Sequence, residues 1–203
     1  SVLTAVREQD PERIVFVPAM GWQDYNYIKY ARVAEEDPNA VVSFHYYLPM
    51  LLSHYKMLAW VGYQGAVQYP GVVIPTQSDA DKYPQYASFH KTTYNADRIM
   101  GEMSNAASDG RNAGLAVHCG EFGCSKNVAE AMRLAWFTDM VAAMEANNIP
   151  WTLWECLDGG FGFVDIEYGI YRINCPLLKV LTGKELTDAE AKALLQRYGF
   201  KTE

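Results

Sequence analysis

The 203 residues carry a net charge of −7 at pH 7, with 50% hydrophobic, 20% charged and 13% aromatic residues. That is a globular composition, and at this length it predicts a single domain over residues 1–203. No basic stripe accompanies the acidic balance, which excludes nucleic acid as a partner, and no apolar run approaches the roughly 20 residues that span a bilayer. Ser1 leads directly into the charged segment Arg7-Glu8-Gln9-Asp10, so no signal peptide is expected in these residues. Fourteen Tyr and five Trp offer flat apolar faces with polar edges. Such faces suit a neutral, polyhydroxylated ligand, although core packing is the commoner use of any one aromatic. The four cysteines form no C-x-x-C pair and have no metal-ligand spacing, so neither a metal nor a cofactor is expected. Cys119 and Cys156 lie in apolar segments and read as buried thiols, while one disulfide stays open.

In chain order, Ser1 to Gln9 reads as the end of a helix and Arg13 to Pro18 as a short apolar strand. A helix is expected over Tyr25 to Glu36, then a β-branched and aromatic strand over Ala40 to Tyr47 that stops at a Pro. Leu48 to Pro84 is rich in Tyr, Gly and Pro and too long for a mere connection, which marks it as a loop over a ligand. A helix follows over Tyr86 to Ala107, and a strand over Gly114 to Glu121. The next helix, Val128 to Asn147, shows Met132, Trp136, Met140 and Met144 at helical spacing, a buried face. Pro150 to Trp154 is the fourth strand, and short helices are expected over Leu177 to Leu181 and Asp188 to Tyr198. Short, near-continuous apolar strands alternating with helices predict an α/β fold with buried parallel strands. Four βα units alone leave two open edges and one apolar sheet face in water, against the eight strands of a full barrel.

The informative residues sit where strands end. Glu121 closes the third strand within Gly120-Glu121-Phe122-Gly123, and the flanking glycines suggest a sharp turn and close approach of a ligand. A carboxylate there is placed to attack an anomeric carbon, although an exposed Glu at a strand end is common. His45 and Tyr47 lie two residues apart at the end of the second strand and so are expected on one face. An imidazole and a phenol beside a carboxylate orient it and hold its charge. Trp154 ends the fourth strand before the Gly-rich Asp158-Gly159-Gly160-Phe161-Gly162. Trp22 follows the first strand, and both indoles are candidate floors for sugar rings.

Taken in order, these motifs resemble glycoside hydrolase family 5, the cellulase-type clan with a (β/α)8 barrel. His45-Tyr46-Tyr47 is similar to the His-x-Tyr of the family's sixth strand. Trp60 and Tyr69-Pro70-Gly71 resemble the loop after it, Gly120-Glu121-Phe122-Gly123 the nucleophile motif of the seventh strand, and Trp151-Thr152-Leu153-Trp154 the eighth strand. The resemblance runs from about Val2 to Gly183 and implies the C-terminal half of such a barrel, strands five to eight. It implies a retaining endo-acting enzyme on β-1,4-glucan or a related β-glycan, met outside the cell. Glu121 would be the nucleophile, His45 and Tyr47 its orienting partners, and Trp154 and Trp22 substrate-binding residues.

The family's acid/base sits on an Asn-Glu pair at the end of the fourth strand, and no equivalent of that strand is present here. Its Thr-His-Gln stands as Leu52-Ser53-His54-Tyr55. Retaining glycosidases need two carboxyl groups about 5–5.5 Å apart, and loss of the acid costs roughly 10²–10⁴-fold. Two completions are open: an N-terminal half of the barrel, or a second copy related by two-fold symmetry. In the latter, Glu155 and Asp158 of a second copy would lie nearest the acid position. The competing reading is a catalytically inactive half-barrel that binds sugar or self-assembles.

Overall fold

The computed structural model describes residues 2–33, 37–57, 61–157 and 159–203. In chain order the elements are α1 (Val2–Gln9), β1 (Val15–Pro18), the single turn α2 (Met20–Gln23), a 3-10 segment (Tyr25–Tyr30), β2 (Ala40–Tyr46), α3 (Met50–Ser53) and β3 (Gly71–Val72). Next come α4 (Gln77–Lys82), a second 3-10 segment (Pro84–Lys91), β4 (Thr93–Tyr94), α5 (Ala96–Asn112), β5 (Ala116–Phe122) and α6 (Glu130–Ala146). The chain ends with β6 (Trp151–Leu153), β7 (Val164–Glu167), β8 (Ile170–Ile173), α7 (Cys175–Thr182) and α8 (Asp188–Arg197). A four-stranded sheet has the order β1-β2-β5-β6, with β1 parallel to β2 and β2 parallel to β5. This is the α/β class expected from the alternation of apolar strands and amphipathic helices.

The chain gathers into two compact units, the first comprising Ser1–Tyr46, Gly101–Phe122 and Met144–Thr152. Strand register sorts its side chains into two faces. Val17 aligns with Val42 and Val42 with Val117, Phe44 aligns with Cys119, and Tyr46 with Phe122. Val42, Phe44, Tyr46, Val117, Cys119 and Phe122 are all buried, and α5 lies against this face. Gly110 makes that approach possible, because a Cβ there would stand 2.3 Å from Val117 Cγ1. The Tyr46 hydroxyl donates to Glu102 of the same helix.

On the opposite face, Phe16 aligns with Val41 and Val41 with Ala116, and Pro18 aligns with Ser43 and Ser43 with His118. Parallel sheets are ordinarily covered on both faces. Here Ile14 and Phe16 are 61% and 53% exposed. A cavity of about 520 Å³ is lined by Ile14, Phe16 and Ala116 of this face and also by Ala107, Arg111 and Val117.

The second unit comprises Tyr47–Met100, Gly123–Ala143 and Leu153–Glu203. Its core is centred on Trp136, Phe137 and Met140 of α6, each fully buried. The Trp136 indole N–H donates to the Leu48 carbonyl at 3.0 Å. Arg133 is buried and spends its guanidinium on the carbonyls of Cys124, Phe161 and Gly162.

Several sequence expectations change. The helix expected over 25–36 is a 3-10 segment ending at Tyr30, with residues 34–36 outside the described ones. The helix expected from Tyr86 is interrupted, because Thr93 and Tyr94 pair with Gly71 and Val72 and α5 starts only at Ala96. β-Branched Thr92 and Thr93 favour that extended pairing. The hairpin β7–β8 had no sequence forecast; Tyr168 and Gly169, with φ 50° and 74°, make the left-handed two-residue turn that suits twisted strands. Cys156 is exposed rather than buried, and all four cysteines are free thiols.

Truncation of Trp136 tests the second unit's core. Trp136→Ala is expected to cost about 3–5 kcal/mol in urea unfolding. Trp136→Phe is expected to cost roughly 1–3 kcal/mol, because it leaves the Leu48 carbonyl unpaired.

Candidate active site

The first unit brings together two of the residues expected at the site. β2 and β5 run in register up to Phe44 and Cys119, and then slip by one residue, so that His45 aligns with Glu121. His45 Nδ1 lies 3.3 Å from Glu121 Oε2, with both side chains about a quarter exposed, 21% and 26%. Burial holds the His45 imidazole below its ordinary pKa, while the charge of Glu121 pulls it back up. The neutral ring therefore prevails near pH 7, free to present Nδ1–H to the carboxylate. The pair shares the uncovered sheet face with Ser43 and His118. His118 Nε2 is 3.1 Å from Thr152 Oγ1, and its Nδ1 is buried without a hydrogen-bond partner among the described residues.

Trp22 is also in the first unit and is 99% exposed. Gly21, Trp22 and Gln23 all have φ near +62°, a left-handed run unusual outside glycine. Asp24 caps the next turn by accepting from the Asn26 amide.

Tyr47 and Trp154 belong to the second unit. β2 ends at Tyr46, so strand alternation does not extend to Tyr47 as expected. Its ring packs instead on His54 and Phe161, with centroids 4.9 and 5.9 Å away. His54 Nδ1 lies 3.0 Å from Ser53 Oγ, whose hydroxyl also donates to the Tyr47 carbonyl. Burial lowers the His54 pKa. Ser53 and His54 belong to the Leu52-Ser53-His54-Tyr55 stretch that stands in place of the family's Thr-His-Gln, and the packing of His54 with Tyr47 and Phe161 has no trace in the sequence. Trp154 is 46% exposed. Glu155 packs on Gly159, with Oε1 buried and without a hydrogen-bond partner among the described residues. Trp60 and Asp158 lie outside the described residues.

The glycines beside Glu121 act differently from the expected sharp turn. Neither has a left-handed φ. A Cβ on Gly120 would stand 2.4 Å from Ser43 Oγ, and one on Gly123 would stand 2.3 Å from the Trp154 carbonyl oxygen. Each is a glycine because another protein group takes the side-chain space. Among the described residues no group of three or more His, Cys, Asp or Glu could hold a metal ion. None of the described helices is long and apolar enough to cross a membrane.

The family model for cellulase (glycosyl hydrolase family 5) matches residues 1–160. Endoglucanase H of Acetivibrio thermocellus is 25% identical over 171 residues, covering 84% of this chain and 15% of that protein. Endoglucanase C of the same organism is 23% identical over 159 residues, 74% of this chain and 46% of that one. The chain thus spans less than half the length of these curated relatives. A solved hyperthermophilic endo-β-1,4-glucanase in complex with substrate superposes with a TM-score of 0.68 at 22% identity, over 90% of this chain and 52% of that one.

The electrostatic link between His45 and Glu121 is directly measurable. Since the carboxylate raises the His45 pKa, Glu121→Gln is expected to lower it further, as followed by NMR titration of the ring protons. An unchanged titration would mean that the two side chains do not interact in solution.

Proposed function

The chain belongs to glycosyl hydrolase family 5, and on that footing we propose that it supplies the nucleophile half of a retaining endo-β-glucanase acting on β-1,4-glucan or a related β-glycan. The observation that carries the reading is Glu121 at the end of β5, on the uncovered sheet face and 3.3 Å from His45. A carboxylate at the C-terminal end of a barrel strand is where this architecture keeps its chemistry. In the proposed reaction a Glu121 oxygen attacks the anomeric carbon, the glycosidic C–O bond breaks, and a glycosyl ester forms with inversion. Water then cleaves the ester with a second inversion, so the product keeps the β configuration. In this reading His45 orients the carboxylate, and Tyr47, Trp154 and Trp22 are proposed as substrate-binding residues on the family resemblance alone. A polymer substrate fits an extracellular site of action.

The leaving oxygen needs a proton, and the 203 residues contain no Asn-Glu pair to supply it. In this proposal the acid comes from a complementary set of βα units that closes the barrel. The half-length match to relatives and the exposed Ile14 and Phe16 support four further βα units packing on the open face. A second copy is the alternative closure. Glu155, with one oxygen buried against Gly159 in its own loop, is poorly presented as an acid for a neighbouring copy, which favours the complementary half. A stable monomer at micromolar concentration in equilibrium sedimentation would exclude the two-copy closure.

The nucleophile assignment is tested with a dinitrophenyl 2-deoxy-2-fluoro-β-cellobioside, whose leaving group needs no acid. Intact mass is expected to show one added fluoroglycosyl unit on the protein and none on Glu121→Gln. Glucan retention by both forms, with no adduct on either, would point instead to an inactive sugar-binding half-barrel.

A further inference from the structure

We infer that Cys119 is a positioning residue for Glu121, holding a one-residue bulge at Gly120 that turns this carboxylate onto the His45 face of the sheet, and that Ser43 fills the space which restricts the bulge to glycine. The inference rests on the nucleophile reading only for its catalytic consequence.

Side chains alternate across a regular strand. Val117 and Cys119 point to the face covered by α5, so Glu121 would follow them in an unbroken β5. It does not. Phe44 aligns with Cys119 and the next residue, His45, aligns with Glu121, which leaves Gly120 as the extra residue on β5. The parity of the strand flips there, and Phe122 takes the covered position, fully buried and edge-on to Trp151 at 5.2 Å. Re-aiming a side chain beside an active site is a recurrent use of such bulges.

One close approach fixes the bulge residue as glycine and one hydrogen bond spans the bulge. Ser43, itself buried, places Oγ where a side chain on residue 120 would be, 2.4 Å from the ideal Cβ position. Only a glycine can occupy the bulge while Ser43 keeps this rotamer. Across the bulge, the Cys119 thiol donates to the Glu121 carbonyl, with Sγ···O 3.3 Å. The thiol is fully buried, and burial pushes its pKa far above the ordinary range. Burial thus favours the protonated thiol, the form that donates. The Cys119 amide donates to the Pro150 carbonyl, which anchors the near side of the bulge.

The test uses the full 203-residue chain and two readouts. The first is the change in His45 pKa caused by Glu121→Gln, measured by NMR in each background. The second is the rate of fluoroglycosyl labelling. Cys119→Ala and Gly120→Ala are expected to shrink the His45 change and slow labelling by about 10²-fold, the scale of a displacement near 1 Å. Cys119→Ser keeps a donor and should resemble the parent. Ser43→Ala added to Gly120→Ala should restore much of both signals, a rescue that general destabilisation would not produce. Should Cys119→Ala fail to fold, the Gly120→Ala variant and its Ser43→Ala rescue decide the matter. An undiminished His45 change in Cys119→Ala and Gly120→Ala, or a parent in which Glu121→Gln leaves His45 unmoved, overturns the inference. Absent labelling of the parent, with the His45 change intact and lost in these variants, defeats the nucleophile reading alone.

Discussion

The ladder between β2 and β5 is the contact on which the first unit depends. Parallel strands in register bring like-facing side chains side by side, so one alignment assigns every residue of both strands to a face. Val42 with Val117 and Phe44 with Cys119 make the buried layer under α5. Val41 with Ala116 and Ser43 with His118 make the other face. A slip of one residue after Phe44 then places Glu121 beside His45 on that second face. Without the slip, the carboxylate would sit among fully buried neighbours, where a charge is costly unless paired.

The environment of the His45–Glu121 pair follows from its place on that face. It is shielded enough for burial to lower the histidine pKa, yet open enough for a ligand to reach the carboxylate. Gly120 serves the same geometry, since the space a side chain there would need is filled by Ser43. The exposed Ile14 and Phe16 belong to the same sheet face.

Much of this was legible in the amino-acid order. The four strands, the long helix α6 with its buried Trp136, Met140 and Met144, and the α/β class all appear in the hydrophobic patterning. So does the prominence of Glu121, flanked by glycines at a strand end. Less legible was anything that depends on pairing. Thr93 and Tyr94 read as part of a helix until Gly71 and Val72 are there to receive them. Tyr47 reads as a neighbour of His45 by alternation, but the strand stops one residue earlier and its ring packs on His54 and Phe161. Cys156, in an apolar stretch, reads as buried and is exposed.

By itself the sequence determined the four strands of the parallel sheet, the long helix α6 and the chemistry of each candidate residue, because periodicity and side-chain identity are local properties of the chain. The direction in which Glu121 points was decided only by tertiary structure. A count of alternate residues along β5 would send it toward α5. The extra residue at Gly120 exists only relative to β2, and the space that requires a glycine there is filled by Ser43, 77 positions earlier in the chain.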